Sequence, residues 1–227
     1  MIRFLFFFSV MSAHIKMCMS AETSLATWTL AVVVAGYILC QTDSYAAKWI
    51  SYLIIAFTLI QLLEGLIWLS KEPKTRNILT RLVLVALMLQ PLVNTWLAGM
   101  KYIAFGYLLL FMYTIHYSFR DERSWDSVPG ENGHLIWKKG NQMIFDEMKF
   151  IGIAYLLGVT VPMMFIPGPA KWLVLPITIG TGLWSYYNYD RSGEFSSMWC
   201  LSAALLVPTS LFASFMSSSR ETVRLVR

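Results

Sequence analysis

The sequence predicts an all-α polytopic membrane protein, a bundle of about seven transmembrane helices. Three observations predict it. The chain is 57% hydrophobic and 14% charged, whereas a soluble domain carries about 25% charged residues. Its apolar residues fall in blocks of about 20, the length a helix needs to cross a hydrocarbon core of about 30 Å. At 227 residues it has room for one such bundle and no separate soluble domain.

The elements follow in order. Residues 1–22 form an N-terminal segment. Its opening, MIRFLFFFSVMSA, pairs one basic residue with a short apolar stretch, as a signal peptide does. Cleavage after Ala13 would place Met11 at the −3 position, where a small residue is expected. The segment therefore reads either as a signal peptide or as an uncleaved interfacial or disordered stretch, and Met11, Met17 and Met19 are alternative starts. Seven spans make up 23–216, at 23–41, 49–69, 79–99, 102–118, 149–166, 171–188 and 196–216. Trp49, Trp68, Tyr102, Tyr117, Trp172, Tyr186 and Tyr187 lie near span ends, where amphipathic rings favour the interface. The one sizeable loop is 119–148. Within it, HLIWKKGNQMIF has two apolar stretches around Gly140-Asn141, which suits a β-hairpin or an irregular polar loop. Residues 217–227 are a basic tail.

A faint repeat relates spans 1–3 to spans 5–7. Lys48-Trp49 opens the second span and Lys171-Trp172 the sixth, and ALMLQPL resembles ALLVPTSL. Parallel repeats of this kind occur in transporters, and apolar sequence also produces such matches by chance.

Charge sets the expected orientation. Twelve Lys and Arg fall on the side holding the N-terminus and loop 119–148, against six on the other. The positive-inside rule puts the first side in the cytoplasm, although the tail residues Arg220, Arg224 and Arg227 argue the other way. The net charge of +5 points to anionic lipid headgroups rather than to nucleic acid. Cys18, Cys40 and Cys200 form no CxxC or Cys/His set, so neither a disulfide framework nor a metal site is expected, and no cofactor is implied.

The polar residues inside the spans carry the functional signal. Gln61, Glu64, Gly65 and Trp68 are spaced i, i+3, i+4, i+7 and share a helix face. Gly65 lets a neighbouring helix approach the carboxyl group. A mid-helix acid costs roughly 2.5–3.5 kcal/mol to insert and marks a functional site by default. Glu64 lies about 8 Å from the cytoplasmic end of its span. In LQPLVNTW, Gln90 and Asn94 share a face, Pro91 frees the carbonyl of Leu87, and Gln90 falls near mid-membrane. His116, Trp184, Asn188, Trp199 and Cys200 are placed in the same cytoplasmic half, the opposite half being mostly aliphatic. The expected site is a cytoplasm-facing cavity: Glu64, Gln61, Gln90, Asn94 and Trp199 as the substrate or proton site, with Trp68, His116, Trp184, Asn188 and Cys200 as lining. The competing reading makes Gln90 and Asn94 helix bridges, the aromatics interface anchors, and Glu64 a neutral acid hydrogen-bonded to Gln90.

At these residues a resemblance appears. QLLEGLIW, LQP, HLIW and SSMWC together resemble an uncharacterised multi-pass membrane family of large DNA viruses, algae and some bacteria, whose members carry Q-x-x-E-G-x-x-W in an early span and a W-C pair in the last. The resemblance covers the second to the seventh span. The chain departs from it around His134, where richer flanking aromatics are expected. It implies the multi-pass fold and no activity; a viral source would favour a role in a virion or a remodelled host membrane.

Transport of a small solute or ion, with Glu64 as the protonatable residue, is the first functional expectation. The alternative is a non-transporting organiser that binds a protein partner through loop 119–148. A membrane-embedded enzyme is third, because the sequence shows no nucleophile–base pair, paired carboxylates or HExxH.

Overall fold

The computed structural model describes residues 20–130, 134–140, 142–143, 149–189 and 205–212. It is an all-α helical bundle with one small sheet. The helices are α1 (Ala21–Gln41), α2 (Tyr45–Leu69), α3 (Pro73–Leu97), α4 (Lys101–Arg120), α5 (Lys149–Met163) and α6 (Lys171–Tyr189). Residues 205–212 are also helical. The first four helices are each long and apolar enough to cross a membrane. The expectations for residues 1–19, for Trp199 and Cys200, and for the basic tail lie outside the described residues.

Local chemistry explains the helix ends. Ser20 caps α1 by accepting from the Thr23 amide at 3.3 Å, and Ser44 does the same for α2 through Ala47. Such caps satisfy amides that the first turn leaves without helical partners. Pro73 opens α3, where its missing N–H is not needed and its φ is already helical. At the other end of α3, the Gly99 amide bonds to Trp96 O and the Met100 amide to Thr95 O. This Schellman turn requires a left-handed residue, and Gly99 supplies it with φ of 72°.

Two starts differ from the sequence expectation by a full turn or more. α2 begins four residues before 49 and α3 six residues before 79. Both extensions are the polar first turns of helices whose apolar parts alone carry a hydropathy signal. One consequence concerns Trp49: it stands one turn inside α2, 1% exposed, and is a core residue rather than an interface anchor. Tyr102, Trp172, Tyr186 and Tyr187 are exposed as expected, whereas Trp68 and Tyr117 are half-buried.

α2 is the enclosed helix. Ile50, Leu53, Ile54, Phe57, Ile60, Leu63 and Ile67 all lie in the core. It packs between α1 and α3; α3 also meets α4, α5 and the sheet, and α6 packs on α5. Leu206 reaches the same core. The outer surface inverts the pattern of a soluble protein. Leu30 and Val33 of α1, Phe105, Leu109 and Met112 of α4, and Ile153 and Leu157 of α5 are exposed, while Ser24, Ser51, Thr58, Gln61, Gln90 and Asn94 are buried. Water would penalise that apolar exterior, and lipid does not.

Loop 119–148 contains a three-stranded antiparallel sheet, β1 (Trp125–Pro129), β2 (Leu135–Lys139) and β3 (Gln142–Met143), in order β1-β2-β3. Lys139 pairs with Gln142 across the Gly140-Asn141 turn. Gly140 has φ of 62° there, as a tight hairpin turn requires. β1 packs on α3, so the sheet sits at the end of the bundle where α2 and α4 finish and α3 begins.

The proposed repeat finds unlike surroundings in its two halves. Trp49 is 1% exposed and Trp172 is 71% exposed; Pro91 is buried and Pro208 exposed.

Candidate functional site: two polar clusters in the helix core

Glu64 and Gln61 lie on the enclosed face of α2, 0% and 1% exposed. One helical turn apart, they meet through Gln61 Nε2 donating to Glu64 Oε2 at 3.5 Å. Gly65 is where α1 comes close: a Cβ there would fall 2.7 Å from Leu25 Cγ and 3.5 Å from the Ala21 carbonyl. Small residues let helices approach in this way. Trp68, one turn further on, packs half-buried against the core.

Gln90 and Asn94 do not join this pair. Asn94 Oδ1 accepts from Trp49 Nε1 at 2.9 Å. Its amide nitrogen donates to Val159 O at 2.6 Å and to Gly158 O at 3.4 Å. The second group explains the first: Pro162 interrupts α5, and a proline leaves the carbonyl four residues earlier, here Gly158, without its helical donor. Asn94 replaces that donor from a neighbouring helix. Gln90 Oε1 accepts from Tyr155 of α5 at 2.5 Å. Tyr107 of α4 donates to the Ala154 carbonyl at 2.6 Å. Gly158 makes the close approach possible, since a Cβ there would fall 2.5 Å from Pro91 Cβ and into the Tyr107 ring.

Distance separates the clusters. Trp49 marks the level of Asn94, and Glu64 stands fifteen positions further along α2 than Trp49, about 22 Å of helix. Gln90 is seven residues from the far end of α3, about 10 Å, rather than at the middle of its helix. The earlier start of α3 accounts for the shift. A Glu64–Gln90 hydrogen bond is therefore excluded by position, and the half expected to be aliphatic carries the Asn94 and Gln90 bridges.

Other expected lining residues face outward. His116 is exposed on α4, with Nε2 3.4 Å from Arg120 Nη1. Trp184 is 47% exposed, and the exposed Asn188 donates to its carbonyl within α6.

A third polar group escaped the sequence reading, which treated its cations as topology markers. Lys139, 2% exposed, contacts Asp121 Oδ2 at 2.6 Å and donates to Tyr117 Oη. Its ammonium lies 4.0 Å from the Tyr117 ring centroid and 5.5 Å from that of Trp125. Arg81, 9% exposed, also lies over the Trp125 ring, 5.4 Å from its centroid. It donates to the Ser118 and Arg123 carbonyls and to Asn77 at 2.7 Å. Ser118 lies in the last turn of α4, where carbonyls lack helical donors and a cation is favoured. Thr80 and Ser127 hydroxyls meet at 2.8 Å, and Arg76 holds Asp126 at 3.2 Å. Hydrogen bonds from Arg123 and Lys139 hold the Asp121 carboxyl well below the ordinary carboxylate range. Burial pushes His134, at the entry to β2, down to about 4. Alternation was the available signal: Leu135, Trp137 and Lys139 share one strand face, so Lys139 points the same way as two large apolar residues.

The described residues include no group of three or more His, Cys, Asp or Glu able to hold a metal ion. No protein-family model, no curated protein and no solved structure matches the chain, so the family resemblance rests on its motif residues alone.

Proposed function

We propose that the chain is a seven-span integral membrane protein, sheet end in the cytoplasm, that carries a proton, alone or coupled to a small solute or ion, by way of Glu64. One observation carries the reading. Glu64 is an acid on a wholly enclosed face of the central helix, while neutral amides do the helix bridging elsewhere in the same bundle. A glutamine at 64 could make the same bridge without carrying an ionisable group. What the acid adds is a proton that can be exchanged. Gln61 serves as its hydrogen-bonding neighbour, and Gln90 and Asn94 become structural. The orientation rests on the Lys and Arg count, and residues 205–212 belong to the seventh span.

The test is proton flux into vesicles containing an entrapped pH dye, together with infrared difference spectroscopy of wild type and Glu64→Gln in lipid. The expected result is a carboxyl band that titrates near neutral pH and disappears in Glu64→Gln, with proton-driven flux lost and helix content retained. A band that stays protonated at every pH removes the transport site. A second reading, an organiser acting through loop 119–148, is favoured by the seating of the sheet on α3 through Thr80, Arg81 and Arg76, with Lys139 tying it to Tyr117 and Asp121. It expects removal of the sheet to abolish function and Glu64→Gln to leave function intact.

A further inference from the structure

We infer that Glu64 exchanges its proton with the aqueous phase on the sheet side of the membrane alone; the inference rests on the proposed role of Glu64 as a protonatable site. The two routes out of the site are unequal. Towards the sheet, five residues separate Glu64 from the end of α2, about 8 Å. That short path passes one buried isoleucine, Ile67, and then the half-buried Trp68 and Ser70. Towards the far end, nineteen residues of α2 intervene, about 28 Å. The buried face along that path carries Ile60, Phe57, Ile54, Leu53 and Ile50, none more than 3% exposed. Two buried hydroxyls, Thr58 and Ser51, lie on the way; Thr58 is turned back onto its own helix and donates to Ile54 O at 2.7 Å.

Beyond the apolar stretch, the far end is tied shut by bonds between different helices. Trp49 and Asn94 join α2 to α3, Asn94 and Val159 join α3 to α5, Tyr155 and Gln90 join the same pair again, and Tyr45 Oη donates to the Leu97 carbonyl at 2.5 Å. Each donor in this set is engaged across a helix boundary. Opening a water path there means breaking several bonds in a medium with no water to replace them. A proton arriving from the far side must cross about 28 Å of α2 and the bonded end, and one arriving from the sheet side about 8 Å.

The experiment uses the full chain in vesicles of phosphatidylcholine and phosphatidylglycerol, with the pH stepped on one side and the Glu64 carboxyl band followed by infrared spectroscopy. Glu64→Gln identifies the band by its loss; Glu64→Asp identifies it by a frequency shift if the first variant misfolds. Orientation is scored by a membrane-impermeant maleimide on Cys40, exposed at the far end of α1, with the labelled peptide located by mass spectrometry. The expected result is a full band change for a pH step on the sheet side and no change for a step on the far side. A band that follows the far side, or both sides equally, overturns the inference and leaves the proposed function standing. A band that follows no step, even with both sides brought to the same pH, overturns the proposed function as well.

Discussion

The two ends of the bundle solve the same problem with different chemistry. At the sheet end, elements are joined by ions: Lys139 with Asp121, Arg81 with the carbonyls of Ser118 and Arg123, and Arg76 with Asp126. At the far end they are joined by neutral groups, the Trp49 indole, the Asn94 and Gln90 amides, and the Tyr155 and Tyr107 phenols. Charges are stabilising when partners, rings and nearby water share the load, and a buried pair is fragile once one partner is lost. Neutral bridges in a membrane are each worth about 1 kcal/mol or less, and losing one leaves no naked charge. The difference teaches that the sheet is an all-or-none attachment, whereas the far end is held by small, separable contributions.

The largest expected effect tests the ionic end. Asp121→Asn leaves the Lys139 ammonium, whose side chain is 1% exposed, without its counter-charge. Breaking one partner of such a pair costs about 3–5 kcal/mol. Amide exchange in β1 and β2 should accelerate accordingly, while exchange in α2 and α5 stays unchanged. Equal loss of protection in the helices would show that the sheet and the bundle are one cooperative unit, and the contrast between the ends would fail.

Acid should separate the ends next. His134 is pushed down from 6.5 to about 4 by burial, and Asp121 is held well below 3.8 by its hydrogen bonds. Both groups bind fewer protons folded than unfolded through their shifted ranges. Their contributions are therefore present above the unfolded values and lost as pH falls. The His134 contribution disappears between 6.5 and about 4 and is at most about 3 kcal/mol; that of Asp121 goes below 3.8. Exchange protection of the sheet should fall through this window, and the Trp49–Asn94–Val159 contacts, made by non-titrating groups, should not respond. A pH-dependent change at the far end would break the comparison.

The helices were legible because lipid-sized apolar blocks state their own length. α1, α2, α5 and α6 match their expected spans at one end or both, Gln41 and Leu69 at the finish and Lys149 and Lys171 at the start. Their polar extensions were not, because Tyr45–Lys48 and Pro73–Ile78 look like loop to a hydropathy reading. Gln90 and Asn94 could be seen to share a face, but their partners could not: Tyr155 and Trp49 are 65 and 45 residues away. The β2–β3 turn was announced by Gly140. β1 was silent, since Asp126, Ser127 and Pro129 are poor strand formers and the strand exists through its pairing with β2 and its seat on α3. Level along the bundle was the costliest misreading, because a six-residue error in the start of α3 merged two clusters that lie on different levels.

The smallest expected effect is the sharpest measure of the far end. Trp49→Phe removes one indole donor and keeps most of the ring, and Asn94→Leu removes both the acceptor for Trp49 and the donor that replaces the missing Pro162 amide. Between membrane helices, the coupling in a double-mutant cycle averages about 0.6 kcal/mol and reaches about 1.7. Unfolding measured in detergent for Trp49→Phe, Asn94→Leu and the pair should give a coupling in that range. Asn94→Leu should be the more destabilising single change, because it also strands the Gly158 and Val159 carbonyls that Asn94 serves at 3.4 and 2.6 Å. If instead Trp49→Phe costs as much as Asn94→Leu, the indole packing rather than its hydrogen bond ties α2 to α3. The far end would then be held by shape, and its resistance to water would come from the fit of Trp49 among Ile50, Leu53 and their neighbours.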